Sequence, residues 1–381
     1  MIAFPPSVLF FQSCQGFYPL SLQISQLETG KIDPQCLTSQ NYDACIFLAN
    51  PVATLKRALS SNADLELGQQ YAIKIPESRL SNSLVVISPS AIPAAVAQES
   101  GRWAYRMSTD PAATEQVHNY YWATLFLAHM QEALGAALPR LGPIYLDTHS
   151  TIPADLEVDF GKSIVRLGRQ LPAALDHSQE AMASNGELII EALGQILALR
   201  MNAKWATSSP ATHESTCTNF VHCSCKTSDG CSAALVLGTA TLFRYLFFEQ
   251  FQITAAGDTL VNQSGGVRYC GLNTALSDLT SLSRNDAFSA CAGLYEDASP
   301  NAYSLGLLVA AIWAPLFSQS VYPNHNPAEL FSLIAQTVGA GSEADTLITF
   351  FRRAGDIDRA NFSGRYGPAL RQVLSQHGVQ L

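Results

Sequence analysis

The segment from Tyr303 to Trp313 contains no charged side chain, and Leu305 to Phe317 is the longest apolar run in the chain. A helix that is apolar on every side needs neighbours all round it. It therefore belongs inside a domain core or between packed subunits. The run is too short to cross a bilayer, which takes roughly 20 residues. It closes a larger region, 273–317. There Leu276, Leu279 and Leu282 repeat at a spacing of three, the mark of one helix stripe. A turn-rich break follows, from Glu296 to Asn301. Pro300 forbids a helix through it and pushes Ser299 toward extended geometry. Pro315 is expected to end the apolar helix.

Further helices are expected around this region. Ser232 to Phe251 is nearly uncharged, holding only Arg244 and Glu249. Thr114 to Leu138 carries Tyr121, Trp122, Leu125, Phe126 and Leu134, and stops at Pro139. Ala154 to Leu171 follows Pro153, a residue suited to a first helical turn. Glu187 to Trp205 begins after Ser184-Asn185-Gly186, and Pro327 to Val338 begins after Asn324 to Asn326. Val52 to Leu59 reads as a short helix and Pro368 to Gln376 as another, within an otherwise polar, Gly-rich 339–381. Strand signals are confined to the first hundred residues, at Ala44 to Leu48 and Leu84 to Ile87. The fold class expected is mainly α, with minor β structure in the N-terminal part. No solenoid period is visible.

Composition narrows the function. The chain has 381 residues, 48% hydrophobic and only 14% charged, which suits packed cores and excludes general disorder. Twenty-two basic residues face 31 acidic ones, for a net charge of -9. Any nucleic-acid surface must therefore be a local concentration of cations. The first charged residue is Glu28 and the first basic one Lys31, so a secretory leader is not expected. The chain reads as soluble and intracellular, without a membrane partner. Its nine cysteines are accordingly expected as reduced thiols.

Three motifs bear on chemistry. His213, Cys217, His222, Cys223, Cys225 and Cys231 offer zinc-type ligands at short spacing, but without a paired C-x-x-C, so no metal or other cofactor is assigned. Gly339-x-Gly341-x-x-Ala344 has dinucleotide-fingerprint spacing, yet it follows a helical pattern and reads as a helix-ending turn. The cations are more informative. Lys162, Arg166 and Arg169 stand four and three apart, which places them on one face if 154–171 is helical. Arg200 and Lys204 repeat the spacing of four, Lys226 lies in a tight turn, and Arg268 follows Gly265-Gly266 in a linker. In a chain this poor in charge, the pattern suits a groove that tracks phosphates without reading bases.

Residues 232–338 resemble the nucleoproteins of non-segmented negative-strand RNA viruses, with fungal mymonaviruses the nearest branch. The features are the polar turn Lys226 to Gly230, the long apolar helix after it, the leucine-stripe helix, and Ser299-Pro300-Asn301-Ala302-Tyr303-Ser304-Leu305-Gly306. Leu307-Leu308-Val309 departs from the usual Ala-Met-Gly, and a long acidic tail is missing. The resemblance implies two helical lobes, 21–260 and 261–360, with single-stranded RNA in the cleft between them. It implies exchange arms at 1–20 and 361–381, a helical nucleocapsid in virion and host cytoplasm, and a viral polymerase or phosphoprotein as partner. It assigns RNA contact to Lys226 and, more weakly, Arg268; the other five cations come from spacing alone. The protein would not be an enzyme. A shell protein of a double-stranded RNA virus and a metal-dependent enzyme using residues 213–231 remain the alternatives.

If residues 1–20 are an exchange arm, deleting them should yield monomers or short oligomers by size-exclusion chromatography and electron microscopy. Assemblies of undiminished length would refute that role.

Overall fold

The computed structural model describes residues 30–49, 51–55, 62–98, 101–135, 138, 142–151, 156–168, 186–207, 228–250, 280–281, 302–318, 320–343 and 345–379. The architecture is mainly α with two small sheets. In the first sheet, β1 (Lys31–Ile32), β2 (Ala44–Ile46) and β3 (Tyr71–Ile73) are antiparallel, in the order β1-β3-β2. Helices α1 (Pro51–Leu55) and α2 (Asn62–Gly68) lie between β2 and β3. The second sheet has the order β4-β5-β7-β6, from β4 (Val85–Ile87), β5 (Ile144–Ser150), β6 (Leu156–Asp159) and β7 (Ile164–Gly168). Strands β4, β5 and β7 run parallel, whereas β6 is antiparallel to β7. A parallel β4–β5 pair needs a crossover, and the 24-residue helix α3 (Pro111–Leu134) supplies it.

Helix α3 is buried on nearly every side, from Thr114 to Ala128 without a break. Its aromatic residues join the layers. Trp122 stacks on Tyr71 of β3 at 5.5 Å, meets Phe247 edge-on at 6.2 Å, and donates its indole N–H to the Phe47 carbonyl at 3.1 Å. Beyond the sheets come α4 (Gly186–Met201), α5 (Ser228–Gln250) and α6 (Ala302–Phe317). The two nearly uncharged helices expected from the sequence, α5 and α6, pack chiefly against each other. Their backbones come very close at Gly238. A Cβ there would sit 2.6 Å from the Gly306 carbonyl oxygen and 2.6 Å from Val309 Cβ. Arg244, the charge in the buried part of α5, is neutralised by Glu191 of α4 at 3.3 Å. Last come α7 (Pro327–Gly339), α8 (Leu347–Asn361) and α9 (Gly367–Gln376).

Several expectations need correcting. Pro315 does not end α6, which runs on to Phe317 before Ser318 N–H closes a tighter turn on the Pro315 carbonyl at 3.1 Å. The helix expected at 154–171 gives way, in its described part 156–168, to the β6–β7 hairpin. Leu156-Glu157-Val158-Asp159 and Ile164-Val165-Arg166-Leu167 alternate at period two, with β-branched residues, and Gly161 to Ser163 makes the turn. Nor are all cysteines reduced. Cys36 and Cys45 form a disulfide, because the short 3-10 turn Cys36–Thr38 folds the chain back until their Cα atoms are 5.9 Å apart. Helix α8 stands in a stretch whose polar, Gly-rich sequence does not announce a helix. A Thr346–Thr349 capping box starts it.

One hydrophobic core runs from Ala44 to Val379 and includes helices on both sides of residues 260/261. Within 361–381, α9 buries Leu370, Val373 and Leu374 and packs on α6 and α8. The strand signals at 44–48 and 84–87, and the helices at 187–205, 232–251, 327–338 and 368–376, match described elements to within a few residues. The 276–282 stripe, the Pro300 break and the Gly265-Gly266 linker lie outside the described residues. Among the described residues, no helix is long and apolar enough to cross a membrane.

Two predictions follow from this packing. Gly→Ala in an open helix stabilises by up to about 1 kcal/mol. At Gly238 the new methyl meets backbone, which cannot move aside as a side chain can, so overpacking at about 1–3 kcal/mol outweighs that gain. Gly238→Ala should therefore lower the thermal midpoint; a rise would show that α5 and α6 have room between them.

The second concerns acid. His118 is fully buried, and desolvation lowers its pKa to about 3 from an ordinary 6.5. The unfolded chain thus takes up a proton near pH 6.5 that the folded chain refuses until about pH 3. Stability is complete above pH 6.5 and falls through that window, by about 1.4 kcal/mol per pH unit for one such group. Burial of His129 acts in the same direction. Denaturant unfolding of His118→Phe between pH 7 and 4 should show a slope shallower by about one proton. An unchanged slope would mean that other groups carry the acid sensitivity.

Candidate nucleic-acid interface

The hairpin changes what the expected cations can do. Lys162 sits in the β6–β7 turn, exposed, 3.4 Å from Asp159. Arg166 lies on β7 directly across from Glu157, pairs with it, and is 3.7 Å from Asp159. Arg200, at the end of α4, donates to Ser163 Oγ, so it reaches the same turn. Lys204 is exposed in the short 3-10 turn Ala203–Thr207. Three of the expected cations, Lys162, Arg166 and Arg200, therefore do converge, though through a hairpin rather than a helix face. Two carboxylates stand among them, leaving little net charge for a phosphate chain. Arg169, Lys226 and Arg268 lie outside the described residues, as does the 213–225 part of the Cys/His cluster; Cys231 falls within α5, its side chain undescribed. Among the described residues, no group of three His, Cys, Asp or Glu is placed to hold a metal.

A stronger cation cluster lies at the C-terminal end, where the sequence reads FFRRAGDIDRANFSGRYGPALRQ from Phe350. Arg352, Gly355, Asp356 and Arg359 stand at i, i+3, i+4 and i+7, one face of α8. Gly367, Leu370 and Arg371 stand at i, i+3 and i+4, one face of α9. The two faces meet around a hollow of about 300 Å³ lined by these seven residues.

Local chemistry holds the helices in that relation. Asp358, fully buried, accepts the Tyr366 N–H at 3.1 Å and the Gly367 N–H at 2.6 Å, tying the start of α9 to α8. Pro368 sits in the first turn of α9, where its missing N–H costs nothing. Gly355 leaves the floor open, since a Cβ there would meet nothing within 4 Å.

The five arginines of this stretch divide by availability. Arg353 is held by Asp345, whose side chain is 1% exposed, and parting a buried carboxylate from its partner costs several kcal/mol. Arg365 is paired with Glu329 at 2.6 Å, an oxygen that also accepts from the Tyr366 hydroxyl. Arg359 pairs with Asp356, but both side chains are about two-thirds exposed, at 69% and 66%. An exposed pair is worth about 0–1 kcal/mol, so a phosphate can displace it. Arg352 and Arg371 are exposed, with no ion pair among the described residues. Three guanidinium groups thus remain for an anion, and each can bind phosphate bidentately.

A different constellation lies on the sheet. Thr148 Oγ1 is 3.0 Å from His149 Nδ1, and His149 Nε2 is 2.6 Å from Glu115 Oε2, the order of a nucleophile, base and acid. Thr148 is only 1% exposed, however, and its neighbours are equally enclosed. The His149–Glu115 contact joins α3 to the end of β5. Sequence spacing did not reveal this set, because Glu115 and His149 are 34 residues apart. The arginine faces are legible as i, i+3, i+4 and i+7 spacing once 347–361 is helical beside the helix expected at Pro368 to Gln376.

Neither a family model nor a curated protein matches the chain.

Proposed function

We propose that the protein is a viral nucleoprotein that polymerises on single-stranded RNA and encapsidates it without sequence preference. One observation carries this reading: in a chain of net charge -9, three available arginines converge on one hollow. Guanidinium groups on an exposed helical face suit a sugar-phosphate backbone and read no base. The resemblance of 232–338 to nucleoproteins of non-segmented negative-strand RNA viruses supports it from the sequence side. On this reading the α8–α9 face lines part of an RNA cleft between two lobes, with Arg200 and Lys204 as secondary contacts. Copies of the chain associate through residues 1–20, while α9 within 361–381 packs in its own chain, and the assembly recruits a polymerase or phosphoprotein in the host cytoplasm.

Purified full-length protein should carry RNA that resists nuclease, and should form rings or filaments under the electron microscope. Converting Arg352, Arg359 and Arg371 to Ala together should weaken binding to every single-stranded sequence alike. Three lost phosphate contacts reduce the slope of log affinity against log salt by about 2. An unchanged slope would remove the α8–α9 face from the interface. Protein that neither carries nor protects RNA would overturn the nucleoprotein reading and favour an empty-shell capsid protein.

A further inference from the structure

We infer that the hollow between α8 and α9 is a mononucleotide site: it accepts one nucleotide as a unit, phosphate and base together, rather than only brushing the phosphate chain. The inference deepens the proposed function, from which it takes the RNA as the source of that nucleotide. The site's own chemistry can be tested with the free mononucleotide.

A surface that only tracks phosphates needs cations and no depth. Here the cations ring a cavity of about 300 Å³, at the lower end of small-ligand pockets and near the size of one nucleotide. Its walls differ in chemistry. Arg352 and Arg371 reach it from the two helices and supply the anion-binding pair. The floor is uncharged: Leu370 closes it from below, itself 1% exposed, and the bare backbone of Gly355 leaves open space above, where a flat ring can rest. Asp356 is the one acceptor among the lining side chains. When a phosphate draws Arg359 away from it, its carboxylate is free for a ribose hydroxyl or an exocyclic amine, both donors. Inorganic phosphate would leave the floor and Asp356 unused, and a nucleoside would leave the arginines unused. A nucleotide engages all three.

The test uses titration calorimetry on full-length protein stripped of RNA, with adenosine 5′-monophosphate, inorganic phosphate and adenosine as separate probes. The monophosphate should bind at least about tenfold more tightly than either fragment, because it alone joins both sets of contacts. Gly355→Leu places a side chain in the hollow without meeting a neighbour at Cβ, so it should keep the wild-type thermal midpoint and lose nucleotide binding. Arg352→Gln with Arg371→Gln should lower affinity for the monophosphate by at least about tenfold while leaving any adenosine binding unmoved. If Gly355→Leu does not fold, the double glutamine variant decides. Equal affinity for the monophosphate and inorganic phosphate would overturn the inference, as would undiminished nucleotide binding in either folded variant. Failure here and failure of the proposed function are separable. Protein that protects RNA yet ignores the mononucleotide retains the nucleoprotein reading and loses this site. Protein that binds the mononucleotide yet protects no RNA does the reverse.

Discussion

The contact between α5 and α6 is the constraint on which the rest of the structure depends. Neither helix has a face that water would tolerate, so each must be covered almost entirely. They meet that requirement first with each other, at a separation only Gly238 and Gly306 permit. What they leave exposed is covered by α4 against α5 and by α9 against α6. Wherever an apolar helix must be sheathed, the sheathing elements take positions set by packing density rather than by their own propensities. The hollow is a consequence. Helix α9 lies where it covers α6, α8 packs against α7 and α9, and the space between the outer faces of α8 and α9 is what remains.

A second layer of constraint comes from α3. As the crossover between two parallel strands it lies between sheet and helices, and it is buried on almost all sides. Such a helix cannot be amphipathic, and its polar residues must find partners inside. Gln116 receives the Ala95 N–H and donates to the Pro93 carbonyl, and Glu115 meets His149. His118 instead stays neutral through burial, which ties the stability of the core to pH. The buried Arg244–Glu191 pair performs the equivalent task between α4 and α5. Polar groups in this core thus specify which helix meets which, while apolar area supplies most of the driving force.

Charge follows the opposite logic. In an acidic chain with few charged residues, the position of each cation matters more than the total. The hairpin places Lys162 and Arg166 beside Glu157 and Asp159, where Coulomb attraction uses up their charge locally. Arg353 on α8 and Arg365 in the connection to α9 are held in ion pairs, while Arg352, Arg359 and Arg371 stay at the surface. That division leaves the available guanidinium groups on α8 and α9, at a different place in the chain from the cations that residue spacing singles out at 162–169.

Much of the helical framework was legible in the sequence, because a segment without a polar face admits few fates. The apolar segments at 232–251 and 303–317, the Asn-capped start at Pro327, and the β-branched runs at 44–48 and 84–87 are local signals with local causes. Residues 156–168 were not legible in the same way. A spacing of four between Lys162 and Arg166 fits a helix, and only pairing of β7 between β5 and β6 decides for strand. The Cys36–Cys45 disulfide likewise depends on a turn that brings two Cα atoms to 5.9 Å, which no count of cysteines reveals. The sequence by itself determined which segments must be buried, since hydrophobicity is a property of each side chain. Only the tertiary structure decided which exposed groups stand together, because Arg352 and Arg371 share a hollow through the packing of two helices and the buried carboxylate of Asp358 that joins them.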